Sequence, residues 1–174
     1  MSSVQALSDA INVAYTNDEY GIGSRYFMSG AEGESSAAFN TTNRGDSEWI
    51  WIYNDDAAAL AAGDVVQRDT GDYANYDGIR STSAAVVRSM VLGVANHAVA
   101  AGSYGWVVRN GLVDTQGDGS ISQGDAVVSH SAGAAATDGH AQTMAAGEEH
   151  MVIGTALAAD GVAGTTFLCD LRLG

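Results

Sequence analysis

Between Val91 and Val128 the chain reads VLGVANHAVAAGSYGWVVRNGLVDTQGDGSISQGDAVV, and Val152 to Ala158, VIGTALA, answers it near the C-terminus. Short apolar runs alternate here with Gly, Asn-Gly and Asp-Gly. That is the punctuation of tight β-turns, because only Gly, Asn and Asp readily adopt a positive φ. The runs are too short for helices of ordinary length and rich in β-branched residues, so the stretch predicts a compact β-meander.

The strongest single strand signal is Glu48 to Tyr53, EWIWIY, which puts Trp49, Trp51 and Tyr53 on one face and Ile50 and Ile52 on the other. A strand apolar on both faces is either central in a sheet or part of a subunit interface, where Trp and Tyr are favoured anchors. Gly63-Asp64-Val65-Val66 is echoed by Gly124-Asp125-Ala126-Val127-Val128, with Gly-Asp making a turn and the valines beginning a strand. The echo is too brief to establish a duplication.

Further strands are expected at Asp64 to Arg68, in Ala84 to Ala101, and at Tyr104, Trp106 and Val108. Asn110-Gly111 predicts a two-residue hairpin turn with Leu112-Val113 starting the return strand. Met151 to Leu157 and Thr165 to Leu171 predict a last hairpin around Ala159-Asp160-Gly161. About eight short strands and no proline predict a mainly β fold, a small barrel or sandwich with an N-terminal arm or short helix and long irregular loops.

The N-terminal part is less regular. Val4, Leu7, Ile11, Ala14 and Tyr15 recur at helical spacing, which fits a short amphipathic helix and, almost as well, an extended arm. Gly21 to Asn43 is crowded with Gly, Ser, Ala, Asn and Thr, the composition of an irregular segment. The expected division is an arm over residues 1–47 and a β-rich domain over 48–174. Asp55-Asp56 and the following AAALAAG predict one helical turn closed by Gly63, or a loop; Asp69 to Tyr76 and Ser129 to Gly147 predict loops.

Charge narrows the partners. Twenty-one acidic residues stand against seven basic ones, all arginine, for a net charge of −14. A nucleic-acid backbone or an anionic membrane calls for clustered cations, and this composition predicts neither as a partner. No apolar run nears the ~20 residues of a membrane helix, and MSSVQALSDAINVAY lacks the basic and apolar regions of a signal peptide, so synthesis in a cytoplasm is expected.

Candidate chemistry is sparse. From Asp114, oxygen-bearing side chains fall at positions 1, 3, 5 and 12 of a twelve-residue span ending at Asp125, with Gly119 at position 6. The spacing is that of calcium loops in EF-hands and dockerins, yet the flanks are β-like and position 12 is Asp rather than Glu; an Asp-Gly turn between strands explains the same letters. His97, His130, His140 and His150 have no second histidine or cysteine at metal-ligand spacing. Ser129-His130-Ser131 lacks a nucleophile elbow, and Gly117-Asp118-Gly119 is no phosphate loop in a chain without lysine. Cys169 alternates with Thr165, Phe167 and Leu171 and reads as a small buried strand residue. Glu148-Glu149 reads as solvated charge beside a turn, and Arg44-Gly45-Asp46, the letters of an integrin tripeptide, as a plain loop. No catalytic residue, cofactor or metal site is expected, and no enzymatic activity.

The ordered pieces Gly93-Val94-Ala95, Gly102-Ser103-Tyr104-Gly105-Trp106-Val107-Val108, Gly111, Asp118-Gly119-Ser120-Ile121, Gly124-Asp125 and Val152-Ile153-Gly154-Thr155-Ala156-Leu157 resemble the C-terminal half of capsid decoration (cement) proteins of tailed bacteriophages. The resemblance covers roughly Val91 to Leu171. It implies a small β-rich protein, often trimeric, that sits on the outside of the head, binds the major capsid protein and stiffens the shell; no catalytic residues come with it. The rival expectations are a fibre- or spike-associated module that binds a host glycan or protein, and a calcium-stabilised β module resting on Asp114 to Asp125.

Overall fold

The computed structural model describes residue 11 and residues 13–30, 45–69, 76–82, 88–130 and 137–174. The chain is mainly β, as its turn punctuation predicts. The strands are β1 (Arg25–Met28), β2 (Ser47–Asn54), β3 (Val65–Arg68), β4 (Asp77–Arg80), β5 (Val91–Ala95), β6 (Tyr104–Gln116), β7 (Ala126–Val128), β8 (Gln142–Thr143), β9 (Val152–Ala156) and β10 (Thr166–Arg172). Two short 3-10 turns, Arg88–Met90 and Glu149–Met151, lead into β5 and β9.

All ten strands join one sheet in the order β1-β2-β4-β3-β5-β6-β10-β9-β7-β8, and β2 also pairs with β6. That extra pairing closes β2, β4, β3, β5 and β6 into a ring. A parallel bridge from Gly117 to Ala141 closes β6, β10, β9, β7 and β8 into a second. The two rings share β6: its first half pairs with β2 and its second half with β10.

The second ring repeats the first, strand for strand. Val66 pairs with Gly93 as Val127 pairs with Gly154, and in both ladders the register shifts at the very next residue. Val94 faces Val108 and Ala95 faces Val107, as Thr155 faces Asp170 and Ala156 faces Cys169. The turns match bond for bond. Gly63 (φ 92°) and Gly124 (φ 93°) take the positive φ that the turn requires. Gly63 N–H donates to Ala95 O at 2.7 Å and Gly124 N–H to Ala156 O at 2.8 Å; Ala95 N–H returns to Asp64 O and Ala156 N–H to Asp125 O. The two Gly-Asp echoes are therefore parts of a duplicated five-stranded barrel.

Alternation along each strand sorts the core. Ile50, Ile52, Leu60, Val66, Leu92, Ala95, Val99 and Val107 fill the first ring. The equivalent positions Val113, Ile121, Val127, Ile153, Ala156 and Cys169, with Phe167, fill the second. Trp49, Trp51 and Trp106 lie on the opposite face of β2 and β6, where Tyr15, Tyr20, Tyr26 and Tyr104 pack on them. Trp51 meets Tyr20 at 4.8 Å and Trp106 at 5.2 Å between ring centroids, in edge-on and tilted geometry. Trp49 and Trp51 are fully buried within the chain, so of the two expectations for EWIWIY the core strand is the correct one.

Several local expectations are overturned by long-range pairing. Asn110-Gly111 makes no hairpin: β6 runs straight through it for 13 residues, because the β2 and β10 ladders hold the backbone on either side. Gly111 still takes a positive φ of 108°, and a Cβ there would lie 2.7 Å from Asp46 O. Within Gly21 to Asn43, expected to be irregular, Arg25–Met28 forms β1 and pairs with β2. Asp55 to Gly63 is a loop without a helical turn. In Ala84 to Ala101 only Val91–Ala95 is strand; positions 84–87 lie outside the described residues. Ser129 to Gly147 carries the short β8. The expected N-terminal helix rests mostly on residues 1–10, also outside the described residues; Ile11 is buried in the core and Tyr15 bridges Tyr104 in extended form.

Candidate functional site

The twelve-residue acidic span does not converge. Asp114 and Gln116 lie on β6, whose backbone is held by β10. Asp114 is exposed, while Gln116 Nε2 donates to Ala62 O at 3.0 Å and to Asp64 at 3.2 Å. Asp118 accepts from Ser120 N–H and Oγ and from Gln142 Nε2; Asp125 accepts from Ser122 N–H at 2.9 Å and from Thr143 Oγ1 at 3.0 Å. Asp118 and Asp125 are each committed to closing their own turn. Asp160, fully buried, reaches back to Gly119 N–H at 2.7 Å and ties the Asp-Gly turn to the β9–β10 hairpin. Among the described residues no three His, Cys, Asp or Glu side chains gather to hold a metal ion.

The other candidates scatter too. Cys169 is buried on β10, and burial pushes its thiol up to about 12, far from a reactive thiolate. His97 is held neutral by burial, its pKa pulled down to about 4. His130 is fully buried beside Ser129, His140 half-buried and His150 exposed; Ser131 and Arg44 lie outside the described residues. Glu148 is not solvated: it is 6% exposed, and its Oε2 accepts from Ala145 N–H at 2.8 Å, so it caps a turn, whereas Glu149 beside it is exposed. A cleft of about 430 Å3 is lined by Arg88, Ser89, Glu149, His150 and Leu173, where the two equivalent 3-10 turns meet.

One end of the first ring gathers a different chemistry. Arg68 follows Val66 on the inward side of β3, Arg109 follows Val107 on β6, and Tyr76 precedes Gly78 at the start of β4. The Arg68 guanidinium sits 4.2 Å from the centre of the Tyr76 ring. Its hydrogen bond and positive charge, with the positive charges of Arg25 and Arg109 nearby, hold the Tyr76 phenol below its ordinary value. Arg25, on β1, donates to Glu48 at 3.0 Å, and Asn110 Nδ2 donates to the other Glu48 oxygen at 2.6 Å. Burial, then the like charges of Arg25 and Arg68, pull the Arg109 guanidinium down; its Nη2 donates to Gly174 O at 2.9 Å. On the same face of β1 as Arg25, Phe27 stands 63% exposed. Sequence reading missed this group because its members are far apart in the chain and individually unremarkable.

No protein-family model matches the chain, and no curated protein matches it. Among solved structures it is similar to the head fiber gp8.5 N base of bacteriophage phi29, at 16% identity over 72% of this chain and 96% of that one, with a TM-score of 0.49.

Proposed function

We propose that the chain is a non-catalytic structural component of a tailed-phage virion, made in the host cytoplasm. In this reading it decorates the outside of the capsid, bridges neighbouring major capsid protein subunits and works as a homotrimer. The observation that carries the binding role is the ring end bearing Phe27, Arg25, Tyr76, Arg68 and Arg109, side chains of the kind that anchor protein interfaces. The choice of the capsid as partner rests on the resemblance between Val91 and Leu171. Its pieces fall on turns and strands of the two rings: Gly124-Asp125 on a ring turn, Val152–Ala156 on β9, Tyr104 to Val108 on β6.

Mechanically the reading is coherent. Two closed barrels fused along one strand leave few free edges and resist shear, as suits a clamp on a shell under internal pressure. The acidic composition favours solubility before docking.

The test is co-sedimentation of the purified protein with capsids lacking it, beside its mass in solution by light scattering. Saturable binding to capsids and a trimer of 17.8 kDa chains, free or on the shell, is the expected result. Binding to host cells or glycans with none to capsids would replace this reading with the fibre-associated module.

A further inference from the structure

The duplicated barrel contains its own control experiment. Matching the two rings by their ladders places Ser129 where the first ring has Arg68, Leu171 where it has Arg109, and Gly139 where it has Tyr76. Ser129 and Leu171 are fully inaccessible and Gly139 is buried. The second ring thus closes this end with small and apolar residues, and the fold has no need of arginines there.

The first ring holds them at a cost. Like charges repel, and a partly buried guanidinium loses hydration that neighbouring groups only partly replace. Arg109 Nε is buried without an acceptor, and Glu48 already divides its two oxygens between Arg25 and Asn110. Among the described residues, three of the six arginines sit at this one end, in a chain with 21 acidic residues. A costly charge cluster that the fold can do without is recovered energetically when an oppositely charged partner docks.

From this contrast we propose that the end of the first ring is a docking site for an acidic segment of a partner protein. Carboxylates of that segment engage Arg25 and the Arg68–Arg109 side of the ring, and an apolar residue packs on Phe27. The neighbouring Phe27 favours a peptide over a bare anion, because an inorganic anion has no use for an exposed aromatic ring. The proposal rests on the reading of the chain as an assembly protein, and names the partner chemistry of that surface.

The test uses the full chain and a fluorescently labelled Glu-Glu-Leu-Glu-Glu peptide at 0.15 M salt. There a Debye length of about 8 Å screens the more distant acidic surface. Arg25→Gln and Phe27→Ser should each weaken binding roughly tenfold, while Arg80→Gln, which removes an arginine paired with Asp56 at the opposite end of the first ring, leaves it unchanged. Circular dichroism confirms that each variant is folded. Absence of binding by the natural chain, or an equal loss in Arg80→Gln, overturns the site. Phosphate competing as well as the peptide, with Phe27→Ser inert, overturns the peptide as ligand. A mass that doubles for the natural chain but not for Arg25→Gln gives the site to a second copy instead of a different protein. Capsid co-sedimentation of the same variants separates the two readings. Capsid binding indifferent to Arg25→Gln and Phe27→Ser overturns the docking site and leaves the capsid role standing. Peptide binding lost in both variants, in a protein that never sediments with capsids, overturns the capsid role and leaves the site.

Discussion

Gly93 lies against the carbonyl of Val108 as Gly154 lies against the carbonyl of Asp170. A Cβ at the first would sit 2.3 Å from that oxygen, and at the second 2.5 Å. These are equivalent points of the two rings, where β5 and β9 cross their neighbours closely.

Both obstacles are backbone and cannot rotate away, so Gly93→Ala and Gly154→Ala should each destabilise the protein by about 3 kcal/mol. Gly161→Ala, with open space around its Cβ, should stay within about 0.5 kcal/mol. Urea midpoints measure all three. Equal stability of the Gly93 and Gly161 variants would show that the strands do not approach as described.

Trp51 is fully buried, and its Nε1 donates to Asp18 at 2.7 Å; Asp18 also accepts from Gly21 and Ile22 N–H. Trp51→Ala should cost about 3–5 kcal/mol by cavity formation. Asp18→Ala should cost about 1–3 kcal/mol by stranding the indole donor. A neutral Asp18→Ala in chemical denaturation would detach the segment before β1 from the core.

Asp64 Oδ2 accepts from Ala61 N–H at 2.7 Å, and Asp125 Oδ2 from Ser122 N–H at 2.9 Å, the same cap in the same turn of each ring. Replacing either by Ala should cost about 1–2 kcal/mol. Because Asp125 is spent on its turn, the thermal midpoint should be the same in EDTA and in calcium. A calcium-dependent rise abolished by Asp125→Ala would revive the metal loop.

Burial lowers the His97 pKa from 6.5 to about 4. Between these values the unfolded chain binds a proton that the folded one refuses, so stability falls as the pH drops through that window and is fully present above it. The linked loss saturates at about 3 kcal/mol below pH 4. His97→Gln should flatten the pH dependence of the urea midpoint between pH 6.5 and 4; an unchanged slope would place the effect elsewhere.

The sequence by itself determined the mainly β class, the turns at Gly63-Asp64 and Gly124-Asp125, the last hairpin, and the apolar faces of EWIWIY. These depend on local rules, on which residues tolerate a positive φ and on the two-residue period of a strand, and local rules are legible one segment at a time. Tertiary structure decided the rest. Asn110-Gly111 carries the letters of a hairpin, yet ladders to β2 and β10 override it, because many long-range hydrogen bonds outweigh one turn preference. The acidic span from Asp114 has the spacing of a metal loop, yet strand pairing sends its side chains to separate partners. The duplication is faint in the sequence because the rings keep little more than their glycines, turn aspartates and core volumes. The arginine-bearing end is invisible there, since Arg25, Arg68 and Arg109 meet only when a barrel closes.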